Sequence, residues 1–132
     1  MLFTPQIGRL FEQADARALA TTGPEGVNVV PISMCRVTDT ELWVFDFFMR
    51  KTIANIKAEP EVAVTAWSGF TGVQIKATAT YHTDAKSLKA AQDWVNAQNQ
   101  DRVVRGLITL TPTAIFDVSP GGVFDETDLI SS

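Results

Sequence analysis

Apolar and polar residues alternate along most of this chain, and the alternation gives way to helical spacing in three places. The first is near the start. Ile7, Leu10, Phe11 and Ala14 recur three and four apart, which puts them on one helical face. Thr4 suits the N-cap and Pro5 the first turn, and this helix is predicted to cover an open side of a β core. Alternation then marks strands over residues 16–22 and 27–37. The turn-forming Gly23-Pro24-Glu25-Gly26 joins them, which predicts an antiparallel hairpin. Pro31 sits inside the second strand; without an N–H it has to face an edge, a bulge or a ligand.

A third strand is predicted over 41–47. The period then changes: Ile53 and Ile56 lie three apart, and Glu59-Pro60-Glu61 stops a short helix at about residue 58. The fourth strand, 61–67, puts Val62, Val64 and Ala66 on one face and Ala63, Thr65 and Trp67 on the other. The fifth, 73–82, sets Val73, Ile75, Ala77 and Ala79 against Gln74, Lys76, Thr78 and Thr80. A third helix follows to about residue 99, with Leu88, Ala91, Trp94 and Val95 as its buried stripe. The last strand lies within 103–118, where Pro112 implies a bend or bulge. Ser119-Pro120-Gly121-Gly122 closes the compact part, giving one domain over 1–122 and a polar C-terminal tail, 123–132. Six short strands joined by turns, with a few packing helices, predict a mainly β (α+β) fold built as a small antiparallel barrel. A doubly wound parallel sheet is disfavoured because hairpin turns join most neighbouring strands.

Composition narrows the function. Hydrophobic residues at 45% and charged residues at 20% suit a folded domain rather than a disordered chain. The net charge of −4 offers no basic face for nucleic acid, and against it the adjacent Arg50 and Lys51 stand out. Cys35 is the sole cysteine and His82 the sole histidine, so an intramolecular disulfide and a multi-histidine metal site are excluded. Cys35 reads as a small core residue. The first residues lack a basic start and apolar core, and no apolar run reaches membrane-spanning length; a cytoplasmic protein with no membrane partner is expected.

The chemistry gathers after the third strand, in Asp46-Phe47-Phe48-Met49-Arg50-Lys51-Thr52. Two aromatics and a methionine offer flat, polarizable surface; two cations and a hydroxyl follow at a helix start. Two readings stand on the residues alone. Backbone N–H groups, the helix dipole and Lys51 converge on a phosphate, or Arg50 and Lys51 are solvated cations and the aromatics are core or dimer contacts. Cations at the start of a helix oppose its dipole, which favours an anion there. No nucleophile elbow, Walker loop or dinucleotide fingerprint is present, and no catalytic side-chain set is evident, so a bound cofactor is expected to supply any reactivity.

Met49-Arg50-Lys51-Thr52, then Asn55-Ile56 and Pro60-Glu61-Val62-Ala63, resemble the phosphate segment of the FMN-binding split barrels of the pyridoxamine 5'-phosphate oxidase-like superfamily. The hairpin from Ala18 to Ile32 and the strand from Val73 to Ala79 are similar to that family as well, so the likeness covers residues 5–120. It implies a six-stranded antiparallel split β-barrel, FMN as cofactor, and an oxidoreductase or electron-transfer role with a small-molecule or protein redox partner. It assigns Lys51 and Thr52 to the phosphate, with Arg50 nearby. Asp46, Phe47, Phe48 and Met49 would line the isoalloxazine; Val30, Pro31 and Ile32 would touch the ring and ribityl chain; Gln74 would add a polar contact. It also implies a homodimer with flavin at the interface, where Arg102, Arg105 or Trp94 of the second copy completes each site. The sequence departs from the family at Ala77, where many members carry glycine, and at the bulky Phe47-Phe48. The substrate-binding arginine and histidine features of the true oxidases and their C-terminal extension are not evident, so pyridoxamine phosphate oxidation is not implied. Two other readings remain: a reductase using the deazaflavin F420, and a binding protein without turnover that stores flavin or holds haem through His82.

Overall fold

A computed structural model of the chain describes residues 3–124. Helix α1 (Pro5–Gln13) comes first, with Thr4 accepting from the Ile7 N–H at its cap as predicted. Strands β1 (Ala16–Thr21), β2 (Asn28–Pro31), β3 (Cys35–Val37) and β4 (Leu42–Asp46) follow. Helix α2 (Lys51–Ala58), strands β5 (Glu61–Ser68) and β6 (Thr71–His82), helix α3 (Ala85–Ala97) and strand β7 (Gly106–Asp117) complete the order. All pairings are antiparallel, in one sheet of order β2-β1-β5-β6-β7-β4-β3.

The sheet has seven strands, not the six predicted, because the strand expected over 27–37 is two. Pro31 ends β2 opposite Ala18, and the next N–H, from Ile32, crosses back to the Arg17 carbonyl. The chain then leaves that edge and re-enters the sheet at β3, beside β4 on the opposite edge. This short crossing bends the whole sheet. Pro31 and Cys35 are four residues apart, a reach of at most about 14 Å. Six strand spacings in a flat sheet would separate the edges by roughly 29 Å. The sheet therefore curls until β2 and β3 approach, and with no ladder between them it stays a split, half-closed barrel. A register shift between Lys76 and Ala77 lies opposite Pro112, the bulge the proline predicts.

The concave face holds the core. Leu19, Val64, Ile75, Ile108 and Leu110 are fully buried there, and α1 closes one side with Ile7 and Phe11, joined by Phe3 just before the helix. A smaller cluster lies under α3, where Ala91 and Val95 pack on Phe45, Val104 and Leu107. Arg17 ties α1 to the crossing segment. Its buried guanidinium donates to the carbonyls of Phe11, Glu12 and Ser33. These include orphan carbonyls at the α1 C-terminus, so Arg17 takes the place of a glycine cap. Arg17→Met keeps the bulk and drops the donors. A loss of about 2 kcal/mol is expected by urea denaturation, since three acceptors lose a charged donor while a desolvated charge is relieved; an unchanged midpoint would refute the capping role.

Of the expected tail at 123–132, residues 125–132 lie outside the described residues. Val123 and Phe124 donate backbone N–H groups to Asp117 Oδ2 at 2.6 and 2.8 Å. Those bonds hold the Asp117 carboxyl well below the usual carboxylate range. Among the described residues no helix is long and apolar enough to cross a membrane.

Candidate functional site

A cleft of about 470 Å³ opens where β2 turns off the sheet and β4 runs into α2. The volume falls within the roughly 300–1,000 Å³ of small-molecule and cofactor pockets. Its polar end is the start of α2. Arg50 sits at the N-cap in helical conformation, offers no side-chain cap, and no acidic residue occupies the first turn. The intrahelical ladder begins only with the Ala54 N–H, which donates to Arg50 O at 3.1 Å. The earlier N–H groups therefore add their partial positive charge to Lys51, which is exposed. Thr52 is buried beside them and its Oγ1 accepts from Asn28 Nδ2 at 3.0 Å. That bond leaves the hydroxyl proton of Thr52 uncommitted and orients it as a donor.

Asn55 fixes this end of the cleft. It is fully buried; its Nδ2 donates to Thr21 Oγ1 and Gly26 O, and its Oδ1 accepts from the Glu25 N–H at 2.9 Å. One amide thus fastens the β1–β2 turn to α2 and carries Asn28 to Thr52. Gly23 lies flat on it: a Cβ there would stand 2.9 Å from Asn55 Oδ1.

The other end is apolar. Val30, Pro31 and Ile32 line it together with Phe47 and Met49. Phe45 stacks between Phe47 and Trp94, at 6.0 and 5.3 Å between ring centroids, so a ladder of rings backs the cleft. Arg102 spans the mouth. Its guanidinium lies 3.7 Å over the Phe47 ring and donates to Ser33 Oγ at 2.7 Å, bridging the α3–β7 connection to the β2–β3 crossing. Gln92 on α3 holds that segment by accepting from Val104 N–H and donating to Arg102 O.

Nine of the predicted site residues meet at this cleft: Val30, Pro31, Ile32 and the run from Phe47 to Thr52. Phe47 forms wall, whereas Phe48 is 81% exposed and projects outward. Two others are placed elsewhere. The Asp46 carboxylate faces away from the cleft, accepting from Met49 N–H at 2.7 Å and from Tyr81 Oη at 2.6 Å, while its carbonyl takes the Arg105 N–H. It shapes the turn that carries Phe47 to Met49. Gln74 lies on the convex face, paired with Thr65 and Phe116. Arg102 reaches the cleft within its own chain, and Trp94 and Arg105 stack on Phe45 and Phe48 of theirs. Ser33, which flanks the Pro31 feature, also lines the cleft, as do Asn28 and Met34, which nothing in the alternation singles out. Burial pushes the Cys35 thiol up to about 12, so it stays protonated, and His82 bonds Thr109 Oγ1 away from the cleft walls.

Residues 3–119 match the pyridoxamine 5'-phosphate oxidase family, and the chain belongs to it. An uncharacterised protein of Methanocaldococcus jannaschii is 32% identical over 108 residues, covering 78% of this chain and 72% of that one. The crystal structure of HupZ from Group A Streptococcus superposes with a TM-score of 0.79 at 19% identity, covering 92% of this chain and 98% of that one. An FMN-binding protein from Syntrophomonas wolfei superposes at 0.68 and 14% identity, covering 87% and 81%. An F420 reductase and the haem storage protein HutZ of Vibrio cholerae share the fold as well.

Proposed function

We propose that the cleft binds FMN and that the protein is a flavoprotein of electron or hydride transfer. The observation that carries this reading is the polarity of the cleft: an uncapped, acid-free helix start with Lys51 and Thr52 at one end, flat apolar walls at the other. A phosphate fits the first and a ring system the second. Lys51, the first N–H groups of α2 and the Thr52 hydroxyl hold the phosphate. Met49, Phe47 and the Val30–Ile32 wall exclude water from the ring. Arg102 sets a fixed positive charge at the mouth. FMN, when bound, supplies the redox chemistry that no side-chain set here provides.

A homodimer with flavin at the interface belongs to the same proposal. Part of the convex face of the sheet is apolar: Ala16, Ala18, Ala20, Val29, Trp67 and Phe116 share it, beside the polar Thr65, Gln74 and Lys76. A sheet face of that kind needs a cover, and a second copy of the chain supplies one symmetrically.

The test is the visible spectrum of the purified protein, with the released chromophore weighed. FMN is expected, on a dimer by sedimentation. Lys51→Ala should then weaken FMN by about tenfold to a hundredfold, the weight of one charge-assisted phosphate contact. A colourless protein that refuses added FMN sinks the reading; a deazaflavin released in its place favours the F420 alternative, which the F420 reductase sharing this fold supports.

A further inference from the structure

A second cavity, of about 290 Å³, lies behind the wall formed by Phe48, Met49 and Arg50; Asp46, Tyr81 and Arg105 make its other sides. Its charge is lopsided. Arg50 lines it, and Arg105 holds its guanidinium 5.1 Å over the Phe48 ring. The only carboxylate on the walls, Asp46, is 3% exposed and has both oxygens bonded, to the Tyr81 hydroxyl and the Met49 N–H. It neutralises neither arginine. Among the described residues the one ion pair is Lys89–Asp93, on α3. In a chain of net charge −4, two guanidiniums against one buried carboxylate leave the walls of this concavity net positive.

The walls are also held in place. The Tyr81 ring rests on the first residue of β7, where a Cβ on Gly106 would lie 2.3 Å from ring atoms. Burial and the Asp46 bond push the Tyr81 hydroxyl up to about 12, so it keeps its proton and its bond to Asp46 at neutral pH. Phe48, Met49 and Arg50 line both the cavity and the cleft, so the two concavities are adjacent.

We propose that this second cavity is an anion site distinct from the flavin phosphate seat, and that it grips a carboxylate or phosphate of the small molecule that exchanges electrons with the occupant of the cleft. Guanidiniums bind both groups through paired N–H donors. The cavity falls just short of the usual range for a whole drug-sized ligand, which suits one oxyanion and a few carbons. The shared wall sets that anion beside the cleft. The identity of the bound molecule rests on the flavin reading; the anion site itself does not.

The experiment is an NMR titration of labelled protein, with and without bound flavin, using inorganic phosphate in one arm and succinate in the other. Saturable shifts are expected at the Tyr81 and Gly106 amides and the Arg50 and Arg105 side chains, weakening with salt. Saturation by phosphate assigns a phosphate ester and saturation by succinate a carboxylate; both outcomes support the site. Arg105→Gln should weaken the anion about tenfold, the share of one charged donor, and cost FMN retention less than Lys51→Ala does. No saturable shift with either anion overturns the proposal, as does equal binding by Arg105→Gln. Loss of FMN by Arg105→Gln comparable to that of Lys51→Ala overturns it too, because the cavity would then belong to the flavin seat. A chain that retains no flavin fails the functional reading alone, since the flavin-free titration still decides the site.

Discussion

Gly106→Ala is expected to destabilise the protein by about 3–5 kcal/mol, one methyl group notwithstanding. The backbone at Gly106 is not in the left-handed region, so alanine is allowed there on conformational grounds. The cost is steric. A Cβ at 106 would fall 2.3 Å from Cε1, Cζ and Oη of Tyr81, far inside van der Waals contact. β6 and β7 pair across Tyr81 and Ile108, so the strand cannot simply step aside. The ring has to leave, and with it goes the 2.6 Å bond to Asp46. Overpacking costs about 1–3 kcal/mol and a lost hydrogen bond to a buried carboxylate about 1.5–3. Thermal unfolding should therefore move down by more than roughly 10 °C. The discriminating variant is Tyr81→Ala, which vacates the space. In that background Gly106→Ala should cost less than about 1 kcal/mol, a coupling typical of residues in contact. Equal costs in both backgrounds would show that the glycine matters for another reason. Because Asp46 also shapes the turn carrying Phe47 to Met49, Gly106→Ala should weaken cleft binding as well.

Much of this fold is legible in the sequence because strand faces are. The alternation in 61–67 and 73–82 puts Val62, Val64, Val73 and Ile75 inside, where the structure buries them. The error over 27–37 has a physical origin. Alternation reports which face a residue takes, not which neighbour its backbone bonds. β2 and β3 keep a similar pattern while bonding to opposite edges of the sheet. Pro31 was the available signal, since a residue without an N–H is a natural place for a ladder to end. The cleft was legible for the same local reason, because one continuous run, Phe47 to Thr52, supplies a wall and the helix start. Arg102, Asn28 and Ser33 arrive from distant segments, and only the β2–β3 crossing and the α3–β7 connection bring them there. Gln74 shows the converse. Its place on a strand is readable, but the convex face of that strand turns away from the cleft of its own chain.

Asn55→Asp should be the most damaging single-atom exchange near the site, at about 3–5 kcal/mol near neutral pH. The side chain is fully buried and serves three partners. Aspartate still accepts from the Glu25 N–H. Its second oxygen, however, replaces the nitrogen that donates to Gly26 O at 2.9 Å and to Thr21 Oγ1 at 3.1 Å. An anionic oxygen then faces a carbonyl oxygen in a site closed to water, an uncompensated buried charge. Desolvation raises the folded-state pKa of the new carboxyl above its unfolded value. The sign follows: the protonated acid donates to Gly26 O and is tolerated, so the deficit is small at low pH and grows as pH rises through the unfolded pKa toward the folded one. Urea titrations at about pH 4 and pH 8 should therefore show a wild-type-to-variant gap that widens with pH, whereas Asn55→Ala should show a gap that does not. A pH-independent deficit in Asn55→Asp would mean the amide is not holding the turn through its donor. Cofactor retention should fall in parallel. Once the turn parts from α2, Asn28 no longer reaches Thr52, and the hydroxyl loses the bond that aims it along the helix start. The same amide that fastens the β1–β2 turn to α2 thus sets the geometry of the anion end of the cleft.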